Sequence, residues 1–151
     1  MAQVLASIAV DAAPGRVFAF IRDLDVRARI LPDGWSFGCF VSDYHQGIGA
    51  AIELQASIGP QPTTHVIQVQ TLVEDEGRLQ LIESPPTADN YITTWTVRDS
   101  DGGCVVFLHT EFSYGGFIGE FFARRRLRKA YQQMLSRLKA LAELGSTGGE
   151  R

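Results

Sequence analysis

Three histidines, His45, His65 and His109, are the side chains of this chain that titrate near neutral pH and so could serve as general bases. His45 falls in a turn over Tyr44 to Gly49 and reads as a solvated surface residue. His109 shares a strand face with Val105, Phe107 and Glu111, opposite Val106, Leu108, Thr110 and Phe112. The Leu108/Phe112 face is taken as inward, which leaves His109 outside. His65 differs, because Ile67 and Val69 lie on its own face. It is either a hydrogen-bonded histidine at the sheet margin or a group that meets a ligand. Glu83 shares a face with Leu79 and Leu81 and could point inward with a raised pKa; the plainer reading is a strand-end glutamate reaching water beside Pro85. With Tyr131, these make three weak catalytic candidates: His65, Glu83 and Tyr131.

Other chemistry is poorly supplied. No two histidines stand at metal-binding spacing, and there is no HExxH or Cys/His cluster, so neither a metal nor a cofactor is expected. Gly47-Ile48-Gly49 and Gly115-Gly116 lack the companions of a phosphate loop or nucleophile elbow and read as turns. Cys39 and Cys104 make no disulfide framework and lie in apolar runs, as buried free thiols would.

The aromatic residues say more. Trp35, Phe37, Tyr91, Trp95, Phe112, Phe121 and Tyr131 could all face one interior space. Burial of each side chain is worth roughly 1.5–3 kcal/mol, so core packing alone accounts for them, and Trp95 and Tyr131 serve equally well as core or as cavity wall. In a ligand site, Tyr91, Thr93, Thr110 and Tyr131 would supply the few polar groups that orient an apolar molecule, and Leu54, Ile67, Leu108 and Leu135 would complete the wall around His65.

Positioning such residues requires a sheet and something to cover it. Gly115 to Leu144 carries the longest helical pattern: Leu127, Tyr131, Leu135, Leu138 and Ala142, flanked by Met134 and Leu141, form one apolar stripe. Arg124, Arg128, Gln132, Lys139 and Glu143 occupy other faces. Before it the chain reads as strands over Gln3–Val10, Trp35–Ser42, Ala50–Ile58, Thr64–Val73, Arg78–Ser84, Asn90–Asp99 and Cys104–Tyr114. Ser100-Asp101-Gly102-Gly103 is the strongest hairpin signal. After the first strand, Asp11 and Pro14 open one short helix that ends at Arg22-Asp23, and Asp25 caps a second over Val26 to Leu31. A sheet of six or seven antiparallel strands bends, and only the last helix is long enough to fill its concave side.

With 151 residues and 45% hydrophobic content, the chain makes one domain over 1–144, followed by a flexible tail, 145–151. The net charge of −3 gives no global attraction to nucleic acid, so no nucleic-acid partner is expected. Arg124-Arg125-Arg126-Leu127-Arg128-Lys129 reads as a solvated helix face rather than a binding patch. No apolar run spans a bilayer, which excludes integral membrane association, and the N-terminus has no basic leader and carries Asp11 early; a cytoplasmic protein is expected.

Three stretches resemble a known superfamily: "DAAPGRVFAFIRDLD" after the opening strand, "QGIGAAIEL" as a glycine turn into a strand, and "DGGCVVFLHTEFSYGGFIGEFFARRRLRKAYQQMLSRLKALAE" as a final strand passing through glycines into a basic-flanked helix. Their order is similar to that of the START-related, polyketide cyclase/dehydrase-like helix-grip proteins (SRPBCC), across essentially the whole chain. The resemblance implies an α+β helix-grip fold: a curved antiparallel sheet of six to seven strands wrapped around a long C-terminal helix, with two short helices after the first strand. It also implies a small hydrophobic ligand, such as a lipid, polyketide or similar metabolite, held between sheet and helix; a homodimer is compatible with it. A polyketide cyclase/dehydratase-like enzyme using the same cavity is the alternative, and a non-catalytic interaction module acting through Arg124 to Arg126 is a third. The superfamily has no universal catalytic motif, so the resemblance assigns no catalytic residue.

Overall fold

The computed structural model describes residues 2–75, 77–86, 91–113 and 116–149, with backbone only over 145–149. The elements run β1 (Ala2–Val10), α1 (Pro14–Arg22), α2 (Leu24–Arg27), β2 (Ser36–Phe40), β3 (Ala51–Ala56), β4 (Thr63–Asp75), β5 (Arg78–Ser84), β6 (Tyr91–Ser100), β7 (Gly103–Phe112) and α3 (Gly116–Gly149). The seven strands form one curved antiparallel sheet in the order β1-β7-β6-β5-β4-β3-β2, and the long C-terminal helix completes the helix-grip α+β architecture.

Alternation decides the faces. Along β7, Cys104, Val106, Leu108, Thr110 and Phe112 are buried while the intervening residues are half-buried. His109 accordingly points away from the core, 3.2 Å from Gln3 Oε1 on the neighbouring β1. The β6–β7 hairpin closes through Asp101 and Gly102, whose φ of 75° demands glycine, with Ser100 paired to Gly103. Gly103 is required for a different reason: a Cβ there would stand 2.3 Å from the Val10 carbonyl oxygen on β1.

On α3, Ala123, Leu127, Tyr131, Met134, Leu135, Leu138 and Ala142 are buried as one stripe. Its C-terminal half is tied down by polar contacts. Arg137 Nη2 donates to Asp33 Oδ1 at 2.7 Å, Arg16 Nε to the Ala142 carbonyl at 3.3 Å, and the Asp11 backbone N–H to Glu143 Oε2 at 2.8 Å. In the expected basic run, Arg125, Arg126, Arg128 and Lys129 are exposed and Leu127 is buried. The helix continues past Leu144 to Gly149, so the expected tail lies partly in it and partly, at 150 and 151, outside the described residues. Gly115 and Tyr114, expected to link β7 to this helix, also lie outside them; Gly116 has φ 73°. Among the described residues no helix is long and apolar enough to cross a membrane.

Several sequence expectations are corrected. Asp11 does not cap α1: the N-cap is Ala13, without a side-chain hydrogen bond, and Asp11 is occupied with α3. The second helix begins earlier than expected, because Asp23 rather than Asp25 caps it, accepting from the Asp25 N–H at 3.0 Å. Cys39 is exposed, not buried. A register shift between Phe37 and Phe40 lets both rings turn inward three residues apart, and the extra residue pushes Cys39 out. The same device operates in β4. Val69 opposes Glu83, but after a shift Leu72 opposes Leu81, so Leu72 and not Thr71 continues the inward face. Cys104 is buried as expected, and burial pushes its thiol pKa up.

Candidate functional site

Between the sheet and α3 lies a cavity of about 240 Å³. Its apolar wall is drawn from the inward positions of the strands: Phe37 on β2, Leu54 on β3, Ile67 on β4, Trp95 on β6, and Leu108 and Phe112 on β7, with Leu127 and Met134 from α3. The half-buried members Leu31, Trp35, Phe37, Ile58, Thr63, His65 and Tyr91 mark the side on which it meets solvent.

Four of the polar residues that border it, Arg27, Glu83, Thr93 and Thr110, are buried. α2 continues the spacing of α1: Ile21, Leu24 and Arg27 recur every third residue, so all three turn inward and are 0%, 1% and 4% exposed. Leu24 N–H donates to the His45 carbonyl at 3.1 Å, which docks the short helix. Arg27 Nη2 then reaches both oxygens of Glu83 on β5, at 2.6 and 2.7 Å. Trp95 Nε1 donates to Glu83 Oε1 at 3.1 Å, and the Arg27 guanidinium lies over the Trp95 ring, 4.7 Å from its centroid. Buried charges persist only when paired and hydrogen-bonded, and this trio meets both conditions for the carboxylate. Glu83, with both oxygens accepting hydrogen bonds, holds Arg27 and Trp95 together. Its plainer reading as a water-facing strand end is overturned.

A second polar chain crosses from sheet to helix. Thr93 Oγ1 and Thr110 Oγ1, on adjacent strands, are 2.9 Å apart, and Thr110 Oγ1 is hydrogen-bonded to the Tyr131 hydroxyl on α3. Burial pushes the Tyr131 pKa up to about 12, partly offset by these threonine hydrogen bonds, so it stays protonated at neutral pH. Trp35 packs edge-on against it at 6.5 Å. Burial and the nearby Glu83 charge likewise raise the Tyr91 pKa.

His65 stands near the mouth, with Nε2 2.6 Å from Thr63 Oγ1 and its ring edge-on to Tyr91 at 5.6 Å. Desolvation lowers its pKa below the ordinary 6.5, which keeps the imidazole neutral at pH 7. The folded state therefore resists a proton that the unfolded chain accepts. Stability contributed by this site is present above pH 6.5 and is lost as pH falls through the lowered folded value. Urea titrations between pH 7.5 and 5 should show the wild type losing more stability than His65→Gln, and parallel curves would contradict this placement.

Of the residues expected from sequence, Trp35, Phe37, Leu54, His65, Ile67, Tyr91, Thr93 and Trp95 border the cavity, as do Leu108, Thr110, Phe112, Tyr131 and Glu83. Leu135 is buried in the helix–sheet core without bordering it. Phe121 is 49% exposed and packs on Phe122, 5.4 Å between ring centroids. It precedes buried Ala123 by two positions, roughly 200° around the helix, and so points outward. Arg27 was not foreseen; its signal was the three-residue spacing from Ile21 and Leu24. His45 is exposed, as expected, with its ring stacked on Phe40 at 3.5 Å and its Nδ1 2.7 Å from Asp25 Oδ2. Among the described residues no group of three or more His, Cys, Asp and Glu side chains is arranged to hold a metal ion.

A helix-grip fold enclosing a mostly apolar cavity is the class of protein that this geometry defines. The chain belongs to the family described as polyketide cyclase / dehydrase and lipid transport, whose model matches residues 1–143. A search of curated protein sequences finds no match. Among solved structures the fold is similar to that of the KanY protein in solution, with a TM-score of 0.80 and 23% identity over 94% of this chain and 97% of that one. It is also similar to crystalline TTHA0849 from Thermus thermophilus, with a TM-score of 0.72 and 18% identity over 96% and 99%. The Aha1 dimer from Colwellia psychrerythraea is similar at a TM-score of 0.65 and 12% identity over 96% and 98%.

Proposed function

We propose that the chain binds a small, largely apolar or aromatic molecule, such as a polyketide fragment or similar metabolite, between its sheet and α3. The observation that carries this reading is the cavity itself, about 240 Å³, with mostly aliphatic and aromatic walls and a few polar groups among them. Drug-sized sites run about 300–1,000 Å³, and a 150 Å³ apolar cavity accommodates benzene, so the space suits one or two rings rather than a two-chain lipid. Membership of a family described in terms of polyketide cyclisation and lipid transport agrees with it.

The test is a thermal-shift and native mass-spectrometry screen of monocyclic and bicyclic aromatics and short-chain lipids against the intact chain. A ligand at 100 times its Kd adds about 2.7 kcal/mol, which raises Tm by about 5–10 °C for a chain of this size. An interior that retains no compound and shows no shift would overturn the reading.

A second reading, catalysis in the same cavity by a cyclase or dehydratase-like reaction, draws on one observation: the neutral His65 imidazole borders the space. It could take a proton from a substrate held there. Turnover abolished in His65→Gln with ligand retention unchanged would support it, and no turnover of any retained compound would leave binding as the function. Assembly as a homodimer is part of neither reading and would be settled by light scattering.

A further inference from the structure

Two residues that border the cavity each carry a buried hydrogen-bonding atom with nothing to bond. Arg27 gives Nη2 to Glu83, but its Nη1 has no hydrogen-bond partner among the described residues, and neither has the Tyr91 hydroxyl. Both residues border the cavity: Arg27 lies on Glu83 and over the Trp95 ring, and Tyr91 shares the inward face of β6 with Trp95 and with Thr93, which pairs with Glu83. The Thr93, Thr110 and Tyr131 hydroxyls beside them are, by contrast, satisfied by one another. A buried donor left without an acceptor bears the full loss of its hydration, and a charged donor bears more.

We propose that Arg27 Nη1 and the Tyr91 hydroxyl receive a neutral oxygen acceptor of the ligand: a ketone, quinone or ester carbonyl carried on one or two rings. This rests on the cavity being a ligand site. Arginine has donors and no acceptor, so the ligand atom must accept. The acceptor is neutral because Glu83 already balances the Arg27 charge, and His65 at the mouth is uncharged. A carboxylate placed beside Glu83 would be a second buried anion sharing one cation. The ligand therefore enters with its carbonyl toward Arg27 and Tyr91 and its hydrocarbon part among Leu54, Ile67, Leu108 and Phe112.

Acetophenone and α-methylstyrene provide the test, being nearly identical in size and outline, with C=O in one replaced by C=CH2 in the other. A purely apolar pocket favours the hydrocarbon, which water holds less well. Isothermal titration with the intact chain should instead show acetophenone bound at least about 5-fold more tightly than α-methylstyrene or benzoate, as expected where a site's buried polar groups reject an analogue that leaves them unpaired. Tyr91→Phe should lower acetophenone affinity about 5–10-fold, leave α-methylstyrene unchanged and leave Tm no lower, since the hydroxyl it removes has no partner to lose. Hydrocarbon binding as tight as the ketone, tighter binding of benzoate, or an equal effect of Tyr91→Phe on both ligands would overturn the carbonyl assignment while leaving the cavity as a ligand site. If neither probe nor any compound of the wider screen binds, the ligand reading falls and this inference with it.

Discussion

Arg27→Met lowers the stability of the folded chain by about 3–5 kcal/mol in a urea titration, because it leaves the Glu83 carboxylate buried without its cation. The pair is 4% and 5% exposed in its side chains, so solvent offers neither partner an alternative. The informative companion is the double variant Arg27→Met/Glu83→Gln. Glutamine keeps an oxygen for Trp95 Nε1, which donates to Glu83 Oε1 at 3.1 Å, and no unpaired charge remains. Methionine retains much of the contact that the guanidinium stem makes over the Trp95 ring. The double variant should regain most of the loss, since replacing both members of a buried ion pair is often close to neutral whereas removing one is not. A single variant costing under about 1 kcal/mol, or a double variant no better than the single, would show that the pair is solvated in solution.

Trp95→Ala should cost about 3–5 kcal/mol, the range for deleting a large buried aromatic side chain. Trp95 is 1% exposed, walls the cavity and holds Glu83 in register for Arg27. Its removal joins new empty volume to the existing 240 Å³, so a variant still folded at low temperature should accept bulkier aromatics and lose selectivity among small ones. Phe121→Ala is the matched control. That ring is 49% exposed and stands outside the cavity, so stability should change by no more than about 0.5 kcal/mol and retention of small ligands not at all. Ligand retention that falls equally in both variants would mean that Trp95 is ordinary core and no part of a binding wall.

The two kinds of error in the sequence reading have different origins. Period-2 alternation gave the inward faces of β6 and β7 correctly, because both strands pair without a register shift along their length. The inward positions of β2 and β4 beyond Phe37 and Val69 were not readable, because each strand carries an extra residue that reverses the alternation, and a bulge leaves no sure mark in residue types. Glu83 could be placed on the face of Leu79 and Leu81, yet its state depended on a partner 56 positions earlier in the chain. Arg27 had a local signal in its three-residue spacing from Ile21 and Leu24, but arginine at such a position reads as a charged edge until an inward carboxylate is known.

Sequence alone therefore determined the order and type of the elements and a sheet of six or seven strands with its covering helix, and it offered the apolar residues between them as core or cavity wall without separating the two. These follow from local periodicity, in which each residue's preference and its neighbours' agree. The tertiary structure alone decided how the polar groups beside the cavity are matched: Arg27 with Glu83 and Trp95, Thr93 with Thr110 and Tyr131, and unmatched atoms on Arg27 and Tyr91. Burial sets whether a polar atom is satisfied, and burial is a property of distant segments meeting, which spacing along one segment does not encode.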